Sequence, residues 1–245
     1  MTHSTRHARI LKQYMATDQL LGVQVVPMNS LPEAYDARDQ GSDMNRETRI
    51  KLLATLDEDE VKPCQKCPLH QDRIQTVFGV GDPQAPLMFI GEGPGQTEDE
   101  QGQPFVGRAG ELLNKQIVAM GLKREQVYIA NVVKCRPPNN RAPTTIEAHT
   151  CSQFLTRQIE IILPKVIVTL GGPAAKLILN TKDGITRIRG QWHEYGGLEG
   201  VDLKIPVMPT FHPAYLLRSY TTENRKRVWS DLQKVMDQLG LPRSA

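Results

Sequence analysis

Four cysteines constrain this chain more than any other feature of its sequence. They are the only cysteines in 245 residues: two form the motif Cys64-Gln65-Lys66-Cys67, and Cys135 and Cys151 lie far downstream. A Cys-x-x-Cys pair combined with two distant cysteines is typical of a four-thiolate metal site, because thiolates select both zinc and iron–sulfur clusters. The spacing alone does not separate an iron–sulfur cluster from a structural zinc.

Two disulfide bonds or four unrelated core thiols are the alternative explanations. The N-terminal residues 1–7 carry charge, and no apolar run follows them, so we expect no secretory leader and a cytoplasmic protein. Disulfide bonds rarely persist in that compartment. Metal ligation is therefore the favoured interpretation of the four cysteines.

The composition is that of an ordinary globular protein, with 39% apolar and 23% charged residues. No apolar stretch approaches the roughly 18 residues that cross a bilayer, so we expect no membrane partner. Charge is unevenly distributed: residues 1–60 hold 7 Lys/Arg and 10 Asp/Glu, whereas residues 61–245 hold 23 and 17. The basic second part favours an anionic partner.

Two parts are expected in the chain: an N-terminal extension at residues 1–60, partly flexible, and a domain at residues 61–245. The extension contains proline, glycine and many acidic residues, and this composition suits a linker. Its candidate elements are a short helix at 8–14, an apolar run at 20–26, a linker at 29–43, a second helix at 45–56 and an acidic run at 57–60.

From residue 61 onward, short apolar runs alternate with helical periodicity. The runs are rich in Val and Ile and apolar throughout, as in strands buried on both faces. Thr144 and Glu147 form a capping box that opens one helix, and Pro164 stops it. The alternation predicts an α/β fold of three α/β/α layers around a central, mostly parallel four-stranded sheet. The predicted strands are residues 87–90, 127–133, 166–170 and 205–210; the predicted helices are 110–120, 144–163, one starting at 172, and 222–239.

Unusual residues follow each predicted strand. Gly91-Glu92-Gly93-Pro94-Gly95 follows the first strand, an Asn- and Arg-rich loop at 134–141 follows the second, Gly171-Gly172 the third and Phe211-His212-Pro213 the fourth. Ligands of parallel sheets bind beyond the carboxyl ends of the strands. The convergence of these loops therefore predicts a functional site at this edge.

The residues alone do not decide the chemical role of three of these loops. The glycine loop lacks the Lys-Ser/Thr of a nucleotide P-loop, so it is either a ligand loop or a tight turn. His212 in its neutral form can donate a hydrogen bond to a developing oxyanion, and Arg218 follows about one helical turn later. Phe105, between proline and glycine, is either a stacking platform or an anchor in the core.

Together these loops resemble the motifs of the family 4 uracil-DNA glycosylases, which carry a [4Fe–4S] cluster. The resemblance covers about residues 62–240 and excludes the extension. It is carried by the four cysteines and by Gly91-Glu92-Gly93-Pro94-Gly95-Gln96-Thr97-Glu98-Asp99, Phe105-Val106-Gly107, Asn131-Val132-Val133-Lys134-Cys135-Arg136-Pro137-Pro138-Asn139-Asn140-Arg141 and His212-Pro213-Ala214-Tyr215-Leu216-Leu217-Arg218.

The resemblance implies a monofunctional DNA-repair hydrolase. It would flip uracil out of DNA, hydrolyse the N-glycosidic bond, release the base and leave an abasic site. It implies a [4Fe–4S] cluster on Cys64, Cys67, Cys135 and Cys151, with a structural role. Uracil-containing DNA, single- or double-stranded, is the expected partner, and a monomer is the expected state.

The resemblance also implies roles for individual side chains. Phe105 would stack on uracil, Asn131 would read its amide-like edge, and His212 would hydrogen-bond its O2 as negative charge builds on the leaving base. The implied uracil-binding residues are Gly91, Glu92, Gly93, Phe105, Asn131 and His212; the implied catalytic residues are Glu92, Asn140 and His212; and the implied phosphate contacts, for which ordinary solvated charge is the alternative, are Lys134, Arg136, Arg141 and Arg218.

The residue that orients the nucleophilic water stays open. Other glycosylase families place Asp or Asn in the first motif, where this chain has Gly93. Asn140 is one proposed anchor in the family resembled, and Glu92, Glu98 and Asp99 are nearby carboxylates.

Other functions remain to be weighed. A non-catalytic or covalently trapping iron–sulfur protein that binds uracil-DNA is the main alternative, but Gly93 and the absence of a His-rich insert favour turnover. A nucleotide-binding enzyme is disfavoured because the glycine loop has no phosphate-cradling lysine.

Overall fold

The computed structural model describes residues 44–197 and 203–242. The elements expected at 8–14, 20–26 and 29–43 lie outside the described residues. In chain order the described elements are α1 (Arg46–Thr55), β1 (Val80–Gly81), β2 (Leu87–Gly91), α2 (Gln96–Gln101), α3 (Arg108–Ala119), β3 (Tyr128–Asn131), α4 (Thr145–Ile162), β4 (Val166–Leu170), α5 (Gly172–Ile178), α6 (Ile185–Ile188), β5 (His193–Tyr195), β6 (Ile205–Thr210), α7 (Pro213–Arg218) and α8 (Thr222–Leu239).

The sheet has the strand order β1-β3-β2-β4-β6-β5. Its four central strands, β3, β2, β4 and β6, are parallel, and the edge strands β1 and β5 are antiparallel to their neighbours. The central strands are the four that the apolar runs predict. The two edge strands were missed because they are two and three residues long and lack a continuous apolar run.

Helices cover both faces of the sheet, and this confirms the predicted three-layer architecture. Side chains of β2 alternate between two separate cores: Met88 and Ile90 join one, whereas Leu87 and Phe89 join the other. The first core is completed by residues of α1, α4 and α5, and the second by residues of α3, α7 and α8. Strands buried on both faces have no polar side, and this explains why their sequences are apolar throughout.

Helix α1 packs on the domain although it precedes the predicted boundary at residue 60. Asn45 caps it, and the helix continues into a π-helical segment at Leu56–Val61. Leu53 and Leu56 are buried in the first core, and the Arg49 guanidinium donates to the backbone carbonyl of Ile162 at the end of α4. The compact domain therefore includes residues upstream of the predicted boundary.

The predicted helix ends agree with the structure where capping residues signal them. The Thr144 hydroxyl accepts from the Glu147 N–H at 3.2 Å, and the Glu147 carboxylate accepts from the Thr144 N–H at 2.7 Å. Helix α4 ends at Ile162, and its C-cap residue Leu163 has a left-handed conformation just before Pro164. Helix α8 has the predicted bounds. None of the helices in the described ranges is long and apolar enough to cross a membrane.

The connections leave a crevice at the carboxyl edge of the sheet. From β2 the chain moves to β3 on one side, whereas β4 lies on the other side of β2 and leads towards β6. This reversal of direction is the position at which open α/β sheets bind ligands.

Glu147 gives the fold a defined acid sensitivity. The hydrogen bonds from Arg141 lower the pKa of Glu147 from its ordinary value of 4.5 to about 2, with help from Thr144 and against burial. A carboxyl group with a lowered pKa stabilises the fold above its unfolded pKa, and this stabilisation is lost as pH falls towards the folded value.

We expect Glu147→Gln to lower the free energy of unfolding by about 1–2 kcal/mol above pH 5, because Arg141 is partly exposed and solvent screens the pair. The difference from wild type should shrink between pH 4.5 and 2. Calorimetric melting across this range measures it, with Glu111→Gln, an exposed carboxylate at the start of α3, as the control. A difference that is constant with pH would contradict the assignment.

Candidate active site and cysteine cavity

A cavity of about 580 Å³ opens at the carboxyl edge of the sheet. Each of the four central strands contributes to its wall, through Glu92 after β2, Asn131 at the end of β3, Gly171 after β4 and His212 after β6. Eight of the predicted site residues line this single cavity, namely Glu92, Gly93, Phe105, Asn131, Asn140, Arg141, His212 and Arg218.

Asn131 places a side-chain amide on the cavity wall. Its side chain is buried, and its Oδ1 atom has no hydrogen-bond partner among the described residues. A buried acceptor without a partner costs free energy, so a ligand that donates to it would be favoured.

Gly91 makes room for this amide. Gly91 lies opposite Asn131 in the register of β2 and β3. A Cβ atom at position 91 would collide with Asn131 Oδ1 and come within 2.5 Å of Cζ of Phe105. Gly91 was predicted to bind uracil. In the structure its contribution is that it has no side chain, which leaves room for the Asn131 amide and the Phe105 ring.

Phe105 lies buried against this wall, and its ring centroid is 5.6 Å from that of His212. Its backbone has a φ of 52°, a conformation that non-glycine residues seldom adopt. A Cβ atom at Gly110 would collide with the Phe105 carbonyl, so α3 can approach the loop only with glycine there.

Glu98 holds the Phe105 loop in place. One carboxylate oxygen accepts from the N–H groups of Val106 and Gly107 at 3.0 and 2.9 Å, and the other accepts from Gly95 at 3.1 Å. Asp99 is buried and accepts from the N–H of Ile74 at 3.0 Å. Both oxygens of Glu98 are therefore occupied by backbone donors. Oδ2 of Asp99 has no partner among the described residues, but Asp99 does not line the cavity.

His212 is held as a neutral hydrogen-bond donor. It caps α7, and its Nδ1 atom accepts from the N–H of Ala214 at 3.0 Å, so the ring proton lies on Nε2. Burial lowers the pKa of His212 to about 4; the positive charge of Arg218 lowers it further, while Glu98 opposes the shift. The ring is therefore uncharged at neutral pH.

Glu92 and Asn140 are the other predicted catalytic residues on the wall. Burial raises the pKa of Glu92, and the charge of Arg218 acts in the opposite direction. Asn140 is exposed with a φ of 54°, and its Oδ1 accepts from Arg136 Nε at 2.8 Å. A Cβ atom at Gly93 would lie 2.7 Å from Val133 Cγ2, so an acid at this position would require Val133 to move.

The predicted phosphate contacts differ in their surroundings. Arg218 is exposed at the cavity mouth. Arg141 also lines the cavity but forms a two-pronged ion pair with buried Glu147, at 2.7 and 2.8 Å. Arg136 is half-buried and bonded to Asn140.

Lys134 does not fit the predicted phosphate contact. Its side chain is buried, and its ammonium donates to the carbonyl oxygen of Asn131 at 3.0 Å and to Oε1 of Gln158 at 2.6 Å. A side chain in this position cannot reach DNA, so the prediction for Lys134 is wrong. In the sequence, Lys134 lies in one motif with Arg136 and Arg141, and nothing in that motif indicates that the lysine side chain is buried.

The four cysteines line a second cavity together with Arg73 and Lys134. All four thiols are free rather than paired in disulfides. Arg73 Nη1 donates to Sγ of Cys135 at 3.2 Å, and the backbone N–H of Lys134 donates to Sγ of Cys151 at 3.3 Å. The sequence did not single out Arg73, because an arginine nine residues after a cysteine has no recognisable motif.

Burial disfavours free thiolates in the second cavity. Burial raises the pKa of the Cys151 thiol to about 12, against the effect of Lys134, and burial also raises the pKa of Cys135. A metal bound to these cysteines would favour their thiolate form. Within the described ranges, no three His, Cys, Asp or Glu side chains are arranged to hold a single metal ion.

The first cavity has the features of a site for a planar, polar ring. It combines an aromatic ring, an unpaired amide oxygen and a neutral imidazole donor at the switch point of a doubly wound sheet. The family model of the uracil DNA glycosylase superfamily matches residues 78–233.

Curated relatives named type-4 uracil-DNA glycosylase match most of the chain. The protein from Thermotoga maritima is 48% identical over 76% of this chain and 94% of its own length. Those from Archaeoglobus fulgidus and Sulfurisphaera tokodaii are 44% and 46% identical over 74% and 73% of this chain and 90% and 81% of theirs. The chain belongs to the uracil-DNA glycosylase superfamily and, within it, to the type-4 family.

The contact of Gly91 with Asn131 and Phe105 can be tested with one methyl group. We expect Gly91→Ala to displace both side chains and to lower kcat/KM on a uracil-containing oligonucleotide by roughly a hundredfold, since misplaced site groups cost about that much. Steady-state kinetics measure the loss. Gly196→Ala is the matched control, because a Cβ atom there meets nothing within 4 Å; equal rates for both variants would contradict the interpretation.

Proposed function

We propose that this protein releases uracil from DNA by hydrolysing its N-glycosidic bond, and that it leaves an abasic site as a DNA-repair glycosylase. One observation carries the proposal: the neutral imidazole of His212 shares a cavity with the unpaired amide oxygen of Asn131 and the ring of Phe105. A base inside duplex DNA cannot reach such a cavity, so the nucleotide must rotate out of the stack.

Base recognition is proposed for Asn131 and Phe105. The amide oxygen of Asn131 accepts from the N3–H of uracil, and the amide NH₂ donates to O4. Cytosine presents the opposite polarity at both positions, so its binding leaves buried groups unpaired at a cost of about 1–3 kcal/mol each. Phe105 stacks on the ring, and its unusual backbone holds the ring without a change on binding.

Leaving-group stabilisation is proposed for His212. As the bond between C1′ of the sugar and N1 of uracil breaks, its electron pair moves onto the base, and negative charge builds on O2. The Nε2–H of His212 donates to that oxygen from the wall of the cavity. A neutral donor suits this task because the uncharged ring carries little cost of burial.

The water that replaces uracil is assigned to Asn140 and Glu92. Asn140 Oδ1 is oriented by Arg136 and keeps a second lone pair for a water proton. Glu92 is the half-buried carboxylate of the cavity wall that is free to accept the proton as the water oxygen bonds to C1′. The displaced uracil anion takes a proton from solvent after release.

DNA is proposed to approach across the mouth of the cavity. Arg218 and Arg141 line the cavity and are exposed, and half-buried Arg136 is bonded to Asn140 on its wall. These three cations are the proposed phosphate contacts on single- or double-stranded substrate. A monomer is proposed, because the residues assigned here to base recognition, leaving-group stabilisation and water activation line one cavity of a single chain.

A [4Fe–4S] cluster is proposed at Cys64, Cys67, Cys135 and Cys151. Four free thiols share one cavity, and four thiolates are the ligand set of such a cluster. The group supplies a rigid cross-link between the Cys64 segment, the loop after β3 and α4. Ligands kept as thiols fit a reducing compartment such as the cytoplasm.

The decisive assay uses a labelled oligonucleotide with one uracil. The proposal expects free uracil, and strand cleavage at that position only after alkali. Binding without an abasic product would support a non-catalytic module, and a denaturation-resistant protein–DNA adduct would support covalent trapping; either result would overturn turnover.

His212 should control the rate but not the affinity. We expect His212→Ala to lower the single-turnover rate by roughly 10²–10³-fold, in proportion to the loss of one oxyanion donor, with uracil-DNA affinity changed less. Rapid-quench kinetics and fluorescence anisotropy separate the two quantities. A variant that loses affinity in place of rate would show that His212 serves binding only.

The pH dependence tests the charge of His212. Because the pKa of His212 is lowered from 6.5 to about 4, its donor stays neutral as pH falls through 6.5, and the rate should not decline there. Burial raises the pKa of Glu92, so protonation of Glu92 also changes the rate at acid pH. The decline in rate that remains at acid pH in Glu92→Gln therefore belongs to His212. If the rate of that variant declined near the ordinary histidine pKa of 6.5, the assignment would be contradicted.

Purified holoprotein tests the cofactor. We expect a brown protein with broad absorbance near roughly 400 nm and about four iron and four sulfide per chain. Cys151→Ser should lose the colour and melt at a lower temperature. A colourless protein with one zinc per chain would contradict the cluster.

A further inference from the structure

Lys134 links the cysteine cavity to the strand end that lines the base cavity. Its ammonium donates to the backbone carbonyl of Asn131 at 3.0 Å, while its own backbone N–H donates to Sγ of Cys151 at 3.3 Å. The residue lines the cysteine cavity and is 1% exposed. A single buried residue thus contacts the proposed cluster site through its backbone N–H and, through its ammonium, the strand end that carries the proposed uracil reader.

The ammonium has no carboxylate partner. No ion pair among the described residues includes Lys134, and Asp57, which acts on it from a distance, lies 4.0 Å from Lys62. Burying a charge without a counter-charge is strongly unfavourable. The contacts that satisfy Lys134 are neutral: the Asn131 carbonyl, the Gln158 amide and, at 5.9 Å, the ring of Phe78.

The proposed cluster would supply the counter-charge that Lys134 lacks among the described residues. A [4Fe–4S] core with four thiolates carries a net charge of about −2 in its common oxidised state. Cys135 and Cys151 are the thiols that act electrostatically on Lys134. Arg73, bonded to Sγ of Cys135, is the second cation beside the site.

The link to Asn131 runs through the backbone of β3. The carbonyl that accepts from Lys134 belongs to Asn131 itself, and the next N–H, that of Val132, donates to the carbonyl of Gly91 at 2.9 Å. The peptide that follows Asn131 is therefore held from both sides. Displacing the ammonium would loosen this peptide and with it the orientation of the side-chain amide.

We propose that Lys134 is a positioning residue with two roles. It is the internal counter-charge of the cluster, and it holds the Asn131 peptide, so that loss of the cluster lowers the affinity for uracil-DNA. This inference rests on the proposed function. It makes the cluster a condition for base recognition without giving it any electron-transfer step.

The test compares two variants, each of which removes one positive charge from the residues that line the cysteine cavity. Lys134→Met removes the ammonium and the link to Asn131, whereas Arg73→Gln removes a cation that contacts Cys135 but not β3. Bleaching of the visible absorbance by a chelator measures cluster retention, and steady-state kinetics on uracil-DNA give KM and kcat.

We expect both variants to bleach roughly tenfold faster than wild type, as befits the loss of a buried counter-charge. Lys134→Met should raise KM roughly tenfold more than Arg73→Gln does, because it alone releases the Asn131 peptide. Equal KM values in the two variants would overturn the positioning duty, and unchanged bleaching in Lys134→Met would overturn the counter-charge.

Lys134→Gln separates charge from hydrogen bonding and guards against a failure of Lys134→Met to fold. The amide keeps a donor for the Asn131 carbonyl, so bleaching should be fast while KM stays closer to wild type. Wild-type protein gives a further measurement: as a chelator removes iron, affinity for uracil-DNA should fall in step with absorbance, before far-UV circular dichroism changes. Affinity that survives complete bleaching would overturn the inference.

The two proposals fail in different ways. Wild-type holoprotein that releases no uracil would end the proposed function. Active wild-type protein whose Lys134 and Arg73 variants behave alike would end only the inference about Lys134.

Discussion

The close approach of β2 and β3 at Gly91 and Asn131 is the constraint on which the rest of the base cavity depends. The two residues are register partners, and the space that a side chain at Gly91 would fill holds the Asn131 amide and the Phe105 ring. Parallel strands deliver their ends to one edge, but only glycine lets the amide and the ring share that point. Glu98 and Gly110 then hold the Phe105 loop in its uncommon conformation. The wall of the cavity is therefore held by the Glu98 carboxylate and by the two glycines that leave room for its side chains and loop.

Burial decides the charge of the groups that carry the chemistry. The same physical effect lowers the pKa of His212 and raises that of Glu92, and Arg218 acts on both through its positive charge. Desolvation disfavours the charged form of any group, so an imidazole becomes a neutral donor and a carboxylate a better base. In the second cavity burial raises the pKa of Cys135 and Cys151, while Arg73 and Lys134 act in the opposite direction.

Much of the fold could be predicted because its signals are local. Continuous Val- and Ile-rich runs identify the four central strands, and the Thr144–Glu147 capping box with Pro164 identifies the limits of α4. The edge strands β1 and β5 have no such pattern, because edge pairing needs only backbone groups. Helix α1 was expected, but its packing was not: burial of Leu53 and Leu56 depends on α4, which lies about a hundred residues away.

The amino-acid sequence by itself determined which chemical groups follow each strand, and parallel strand order then brought those groups to one edge. Only the tertiary structure decided which of them face the cavity and in what state of charge. Lys134 and Arg136 are two residues apart in one motif, yet one is buried beneath the cavity wall and the other reaches the surface. The reason is physical: orientation, burial and the surrounding charges arise from contacts between distant segments, which a linear pattern of residue types does not contain.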